Sequence, residues 1–288
     1  MNLAAGEGKT PLPGGGLCLV LGAGAFRGLA HVGVLRALRR AGVPIHSIIG
    51  SSIGGLVAAF YAGLGLEPDE IAARLSRLTT SSLLSLGIAL RDWGPLSRQA
   101  RVGTRELRAD LDRLQELRLD RLHFGVRRLG LLAMDLPSGE EMFAATGIPG
   151  PVPPDRIVLG GISIPGLFPL VRSSGRRRGY RLADGGFSHS VPVERAFEAP
   201  FFAGKVLAVD LQVIRGFRER RRDRWERLES KHGDSLVRLL PRVKEVGTIF
   251  FRQGQAADLL RAGEEAIDGN LLEWLAGSAS FRRKGRKS

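Results

Sequence analysis

The sequence predicts an α/β fold, with a mostly parallel central sheet flanked by helices and a helical, arginine-rich C-terminal region. Three observations lead there. Strand, glycine turn and helix follow one another twice within about sixty residues, the order that builds parallel strands joined by helical crossovers. The first strand run, Leu17-Cys18-Leu19-Val20-Leu21, is apolar throughout, as suits a strand buried on both faces. The chain has 288 residues, 43% of them hydrophobic, enough to build a substantial core.

Residues 1–16 read as a flexible leader. The first strand stops at Gly22, and a glycine-rich turn leads into a helix over Leu29 to Leu38 that ends at Gly42-Val43-Pro44. Ile45 to Ile49 is the next strand, Gly50 to Gly55 the next tight turn, and Leu56 to Tyr61 the start of a second apolar helix. Pro68-Asp69-Glu70 opens another helix, with proline and acids in its first turn. Residues 81–93 are apolar and serine-rich, and Thr104 to Leu119 is an amphipathic charged helix. Val126–Met134, Ile157–Ile162 and Val206–Val213 supply further strands by the same criterion of short apolar runs. Beyond residue 213 helices are expected at 234–240, 243–251, 256–266 and 270–275, and 281–288 reads as a disordered basic tail. The expected organisation is a domain over 17–213 and a helical region over 214–280.

Forty-three Lys and Arg against 29 Asp and Glu give a formal charge of +14, which points to an anionic partner. Seven arginines lie between 215 and 227, and Arg172, Arg176, Arg177, Arg178 and Arg181 flank Asp184. Nucleic acid is disfavoured, because no recognition motif or stacking-aromatic pattern accompanies the arginines. An anionic membrane surface fits better, although solvated charge explains such runs equally well. Cys18 is the only cysteine, so neither an intrachain disulfide nor a cysteine-based zinc cluster is available. No secretory signal and no run of about 18 apolar residues is present. A soluble cytoplasmic chain with peripheral membrane attachment is expected.

Chemistry concentrates before residue 190. Gly50-Ser51-Ser52-Ile53-Gly54 is a Gly-x-Ser-x-Gly pentapeptide between a strand and a helix. A serine on that sharp turn is held in strained backbone, and the glycines on either side let the chain pass without side-chain clash. The rival reading is a plain βα turn. The loop Gly22-Ala23-Gly24-Ala25-Phe26-Arg27-Gly28 admits two functions. It could cradle a dinucleotide pyrophosphate, or its N–H groups could form an oxyanion hole for Ser52. The dinucleotide reading wants an acid at the end of the second strand, and no Asp or Glu occurs between Gly22 and Leu66. That absence and the nearby serine favour the oxyanion hole.

A nucleophilic serine needs a base. Of His31, His46, His123, His189 and His232, only His189 lies near a candidate acid, Asp184 of Ala183-Asp184-Gly185-Gly186. Asp184 could also act directly, provided that burial raises its ordinary pKa near 4.

Three blocks in order resemble the patatin-like phospholipases. Leu21 to Leu35 looks like the family's glycine-rich loop and following helix, Gly50-Ser51-Ser52-Ile53-Gly54-Gly55 like its nucleophile elbow, and Asp184-Gly185-Gly186 like its Asp-Gly-Gly/Ala motif. Ala133 to Gly139 and Ile164 to Pro169 agree as well, so the likeness covers about residues 17–213. It implies a Ser52–Asp184 dyad without a required histidine, N–H donors at Gly24 and Ala25, acyl-enzyme chemistry on a lipid or phospholipid ester, and no metal or organic cofactor. Gly22, Ala23, Arg27 and Gly28 would support the loop, with Arg27 near a lipid phosphate or in an ion pair. Ala23 and Ala25 replace two glycines of the family's loop, and Ala25 is therefore expected to avoid positive φ.

Overall fold

The computed structural model describes residues 16–77, 105–166, 168–174, 179–187, 190–211, 218–243 and 253–277. The expected leader up to residue 15, the 81–93 stretch, Arg176 to Arg178, His189, nearly all of the helix expected at 243–251 and the basic tail lie outside them. In chain order the elements are β1 (Leu17–Leu21), α1 (Leu29–Arg40), β2 (Ser47–Ser51), α2 (Ile53–Ala58, continued by a π-helical turn to Gly63), α3 (Pro68–Ser76) and α4 (Arg105–Arg113). There follow β3 (Arg128–Asp135), β4 (Glu141–Ala145), α5 (Pro154–Gly161), β5 (Val171–Ser174), β6 (Gly179–Ala183) and α6 (Val193–Phe197). The last are β7 (Lys205–Val209), α7 (Arg218–His232), β8 (Leu236–Leu239), α8 (Ala256–Glu265) and α9 (Gly269–Ala276).

One mixed sheet organises these elements. β3, β2, β1, β7 and β8 run parallel side by side, with β1 at the centre, while β4, β5 and β6 pair antiparallel. Successive strand residues point to opposite faces. Leu19 and Leu21 join Ile48, Leu131, Leu207 and Val237 beneath α1, α2 and α5, whereas Cys18 and Val20 join Ile49, Val206 and Ala208 beneath α6 and Trp225 of α7. Both faces are dry, so the first strand shows no polar alternation. Leu19 and Leu21 are fully buried, each such leucine being worth about 1.5–3 kcal/mol.

Two expected elements change type. Ile157–Ile162, read as a strand, lies mostly in helix α5, which Pro154 at its first turn and Asp155 open. Residues 234–240, read as a helix, contain strand β8, which pairs with β7 from Val206↔Leu236 to Val209↔Leu239. The region beyond residue 213 therefore contributes a strand to the main sheet. It also supplies α8, which crosses α1 where Gly33 meets Gly263; a Cβ on either glycine would collide with backbone of the other helix. Leu271 and Trp274 of α9 are buried in the same core, so the apolar run at 271–275 is interior packing.

The register around β3 positions the site. β2 pairs with β3 only as far as Ser51↔Leu132, and β4 holds the opposite edge as far as Met134↔Glu141. Met134 and Asp135 also pair with Ala183 and Leu182 of β6. Since β4 occupies one edge at Met134, β6 must take the edge that β2 has left. The chain following β6 thus arrives directly above the end of β2.

Candidate active site

Ser52 follows β2 in a backbone conformation of φ 56° and ψ −133°. That region is costly for an L-residue, of order 1–3 kcal/mol, and persists only where the surroundings dictate it. Here they do. Gly50 lies against the backbone of Gly54 and Gly55, and Gly54 against the carbonyl of Leu21, so neither position has room for a Cβ. The carbonyl of Ser52 accepts N–H bonds from Gly55 at 2.8 Å and Leu56 at 3.2 Å, starting α2 three residues earlier than apolar periodicity suggests.

Asp184 arrives from β6, its N–H donating to the Ser163 carbonyl at 2.9 Å. Its two carboxylate oxygens have separate partners. Oδ2 accepts from Ser52 Oγ at 2.6 Å, and Oδ1 accepts from the Gly186 N–H at 2.7 Å. Ser52 and Asp184 are only 6% and 4% exposed. Burial raises the Asp184 pKa, while the Ser52 and Gly186 hydrogen bonds pull it back. A buried carboxylate on a serine hydroxyl is a stronger base than one in water. Gly185 and Gly186 form the short 3-10 turn that carries the Gly186 N–H back to the carboxylate.

The loop after β1 is pinned from several sides. The Gly22 N–H donates to Val209 O at 3.1 Å, the Ala23 N–H to Ser190 O at 2.6 Å, and the Arg27 N–H closes a turn on Gly24 O at 3.0 Å. Gly28 then packs against Ile53 as α1 begins. Among the described residues the N–H groups of Gly24 and Ala25 have no partner. Arg27 is buried, its guanidinium donating to Leu211 O at 3.3 Å, so it braces the loop from inside instead of facing a lipid phosphate. His31, fully buried on α1, binds Gly22 O through Nε2 at 2.7 Å, and burial pushes its pKa down to about 4. A neutral imidazole donating that proton fixes the start of the loop. The sequence puts His31 in an apolar helix, which suits a core or a surface role, and does not reveal this bond. A polar residue within an otherwise apolar helix face was its signal.

Ala25 corrects the expectation of negative φ. Its φ is +45°, a left-handed position held by a residue that carries a Cβ. Left-handed backbone costs an L-residue roughly 1–2 kcal/mol. Ala25→Gly should therefore stabilise the protein by about 1 kcal/mol, a rise of about 2–4 °C in thermal midpoint for a chain of this size. An unchanged or lower midpoint would show that the loop is not strained there.

The arginine-rich segment is also partly structural. Asp210, 1% exposed beyond β7, holds Arg221 of α7 and Arg238 of β8, the latter at 2.6 Å. Arg224 donates to Glu194 at 2.9 Å and to Val191 O at 2.7 Å. Asp210 is a lone acid at the end of an apolar strand run, and nothing local in the sequence marks it as the anchor of these ion pairs. Among the described residues no three His, Cys, Asp or Glu side chains converge as a metal site requires, and no helix is long and apolar enough to cross a membrane.

A family model for patatin-like phospholipases matches residues 19–197, from β1 through α6. The chain belongs to the patatin-like phospholipase family. It is 50% identical over 60 residues to a patatin-like phospholipase domain-containing protein of Caenorhabditis elegans, covering 21% of this chain and 4% of that protein. It is 30% identical over 177 residues to an uncharacterized NTE family protein of Mycobacterium tuberculosis, covering 62% of this chain and 44% of that one. The patatin-like chain thus matches less than half the length of either relative. Its fold is similar to that of VipD from Legionella pneumophila, with a TM-score of 0.50 and 13% identity over 92% of this chain and 67% of that one.

Proposed function

We propose that this patatin-like chain is a serine lipid acyl hydrolase working through Ser52 and Asp184. The observation that carries the reading is the buried 2.6 Å hydrogen bond from Ser52 Oγ to Asp184 Oδ2, made by a serine in strained backbone. Ser52 Oγ attacks an ester carbonyl as its proton passes to Asp184. The carbonyl π pair moves onto oxygen, and the Gly24 and Ala25 N–H groups stabilise the oxyanion. Collapse breaks the ester C–O bond, and the leaving alcohol or lysolipid takes the proton from Asp184. Water, deprotonated by Asp184, then attacks the acyl carbonyl; the Ser52 Oγ–acyl bond breaks, the fatty acid leaves, and Asp184 returns the proton to Ser52 Oγ.

The dinucleotide reading of the loop is weaker. It needs backbone N–H groups turned to a pyrophosphate, and those of Gly22 and Ala23 already serve the carbonyls of Val209 and Ser190. Residues 17–213 would supply the reacting groups, with the later segments bracing them through β8, α8 and the Arg221 and Arg238 ion pairs to Asp210. An anionic membrane is the surface on which the substrate would be met.

A fluorophosphonate lipid analogue tests the nucleophile. A single adduct mapped to Ser52 by intact mass and peptide sequencing is expected. No adduct in the presence of liposomes, or one mapped elsewhere, would overturn the assignment.

A further inference from the structure

The β5–β6 hairpin carries two arginines that the fold does not use. Arg172 and Arg181 are directly opposite in the antiparallel pairing, hence on one face, and both are exposed. Like charges so placed repel. Among the described residues neither guanidinium has an acidic partner. Arg221, Arg224 and Arg238, by contrast, are tied to Asp210 or Glu194. The thirteen residues from Val171 to Ala183 contain five arginines and no acid.

Their position gives the charge a direction. β6 runs down along the edge of β3 vacated by β2, and only Leu182 and Ala183 pair with β3. Gly179, Tyr180 and Arg181 therefore project beyond the end of the sheet at which Ser52 turns off. Arg181 precedes Asp184 by three residues, ~10 Å of extended chain. At the foot of the hairpin Leu136, 39% exposed, donates its N–H to Arg181 O at 2.9 Å. A basic pair beside an exposed apolar side chain, at the end of the sheet that carries Ser52 and Asp184, matches a surface of anionic headgroups over acyl chains.

We propose that the Arg172/Arg181 face of the β5–β6 hairpin is the surface that docks this chain onto anionic phospholipid, seating Ser52 and Asp184 against the bilayer. Its purpose rests on the hydrolase reading, whereas the binding itself does not.

The test is co-sedimentation of the full chain with phosphatidylcholine vesicles, with and without phosphatidylserine, alongside hydrolysis of a water-soluble short-chain ester. Wild type should bind the phosphatidylserine vesicles in a salt-sensitive way. Arg172→Gln with Arg181→Gln should weaken that binding about 30-fold, since each basic residue at an anionic surface contributes about fivefold. Arg40→Gln with Arg118→Gln, an equal loss of charge at the opposite end of the sheet, should change it less than about threefold, because charges more than a Debye length from the surface are largely screened. Thermal midpoints of both pairs should stay near wild type, and short-chain ester hydrolysis should be the same in all three. Equal weakening by both pairs, unchanged binding in the hairpin pair, no preference for phosphatidylserine, or displacement by inorganic phosphate beyond that by chloride at equal ionic strength would each overturn the proposal. If vesicle binding behaves as expected and no version hydrolyses ester, the docking surface stands and the hydrolase reading falls.

Discussion

Ser52→Ala is expected to abolish ester hydrolysis, with kcat lowered by about 10⁴–10⁶-fold, the range for removal of a serine nucleophile. The loss should fall on kcat for both a short-chain ester and a phospholipid, since the missing oxygen is the one proposed to form the acyl bond. Vesicle binding should be unaffected, because Ser52 is 6% exposed and forms no part of the basic face of the hairpin. The variant should fold, as Ala25 already holds a comparable positive φ in this chain. It should be slightly less stable at neutral pH, by about 1–3 kcal/mol, because the buried Asp184 loses a hydrogen-bond donor. A variant retaining more than a tenth of wild-type turnover would remove Ser52 from the mechanism and leave its strained backbone unexplained.

The parts of this site differ in how far a sequence reveals them, for physical reasons. The Ser52 turn is legible because its determinants are local: glycines where the backbone of Leu21, Gly54 and Gly55 leaves no room, between an apolar strand and an apolar helix. Asp184 shows only a turn-like Asp-Gly-Gly in isolation. It reaches Ser52, 132 residues away, because β2 stops two residues before the end of β3's pairing with β4. Strand register of that kind leaves no periodic trace. The same limit explains the two changes of element type. An apolar run such as Ile157–Ile162 suits a strand or a buried helix equally by periodicity, and only the preceding prolines and Asp155 argue for helix. Leu236–Leu239 becomes a strand because β7 presents an open parallel edge to it, a tertiary override of local spacing. Charge was least informative. Arg27, Arg221, Arg224 and Arg238 turned inward to carbonyls and acids, while Arg172 and Arg181 did not, and only pairing geometry separates the two groups.

Asp184→Asn separates a proton-accepting role from a structural one, because the two predict opposite signs. Asparagine can accept from the Gly186 N–H and donate to Ser52 Oγ, so the local hydrogen bonds survive. It cannot take the serine proton, and turnover should fall by about 10³–10⁴-fold. Stability should move the other way. Burial raises the folded-state pKa of Asp184 above its unfolded value, so the native state binds this proton more tightly. Wild-type stability then falls as pH rises from the ordinary carboxylate value through the raised one, and the whole cost of the buried charge is present above it. The neutral asparagine carries no such cost. At pH 8 the variant should have a higher thermal midpoint than wild type, and the gap should close as pH falls toward 4. In the wild type, log(kcat/KM) should climb with unit slope through the raised pKa and then level off, since only the carboxylate can accept the proton. The residual activity of the variant should lack that limb. A variant that is destabilised at pH 8, or that keeps both turnover and the acid limb, would assign the base to another group, with His189 the first to test.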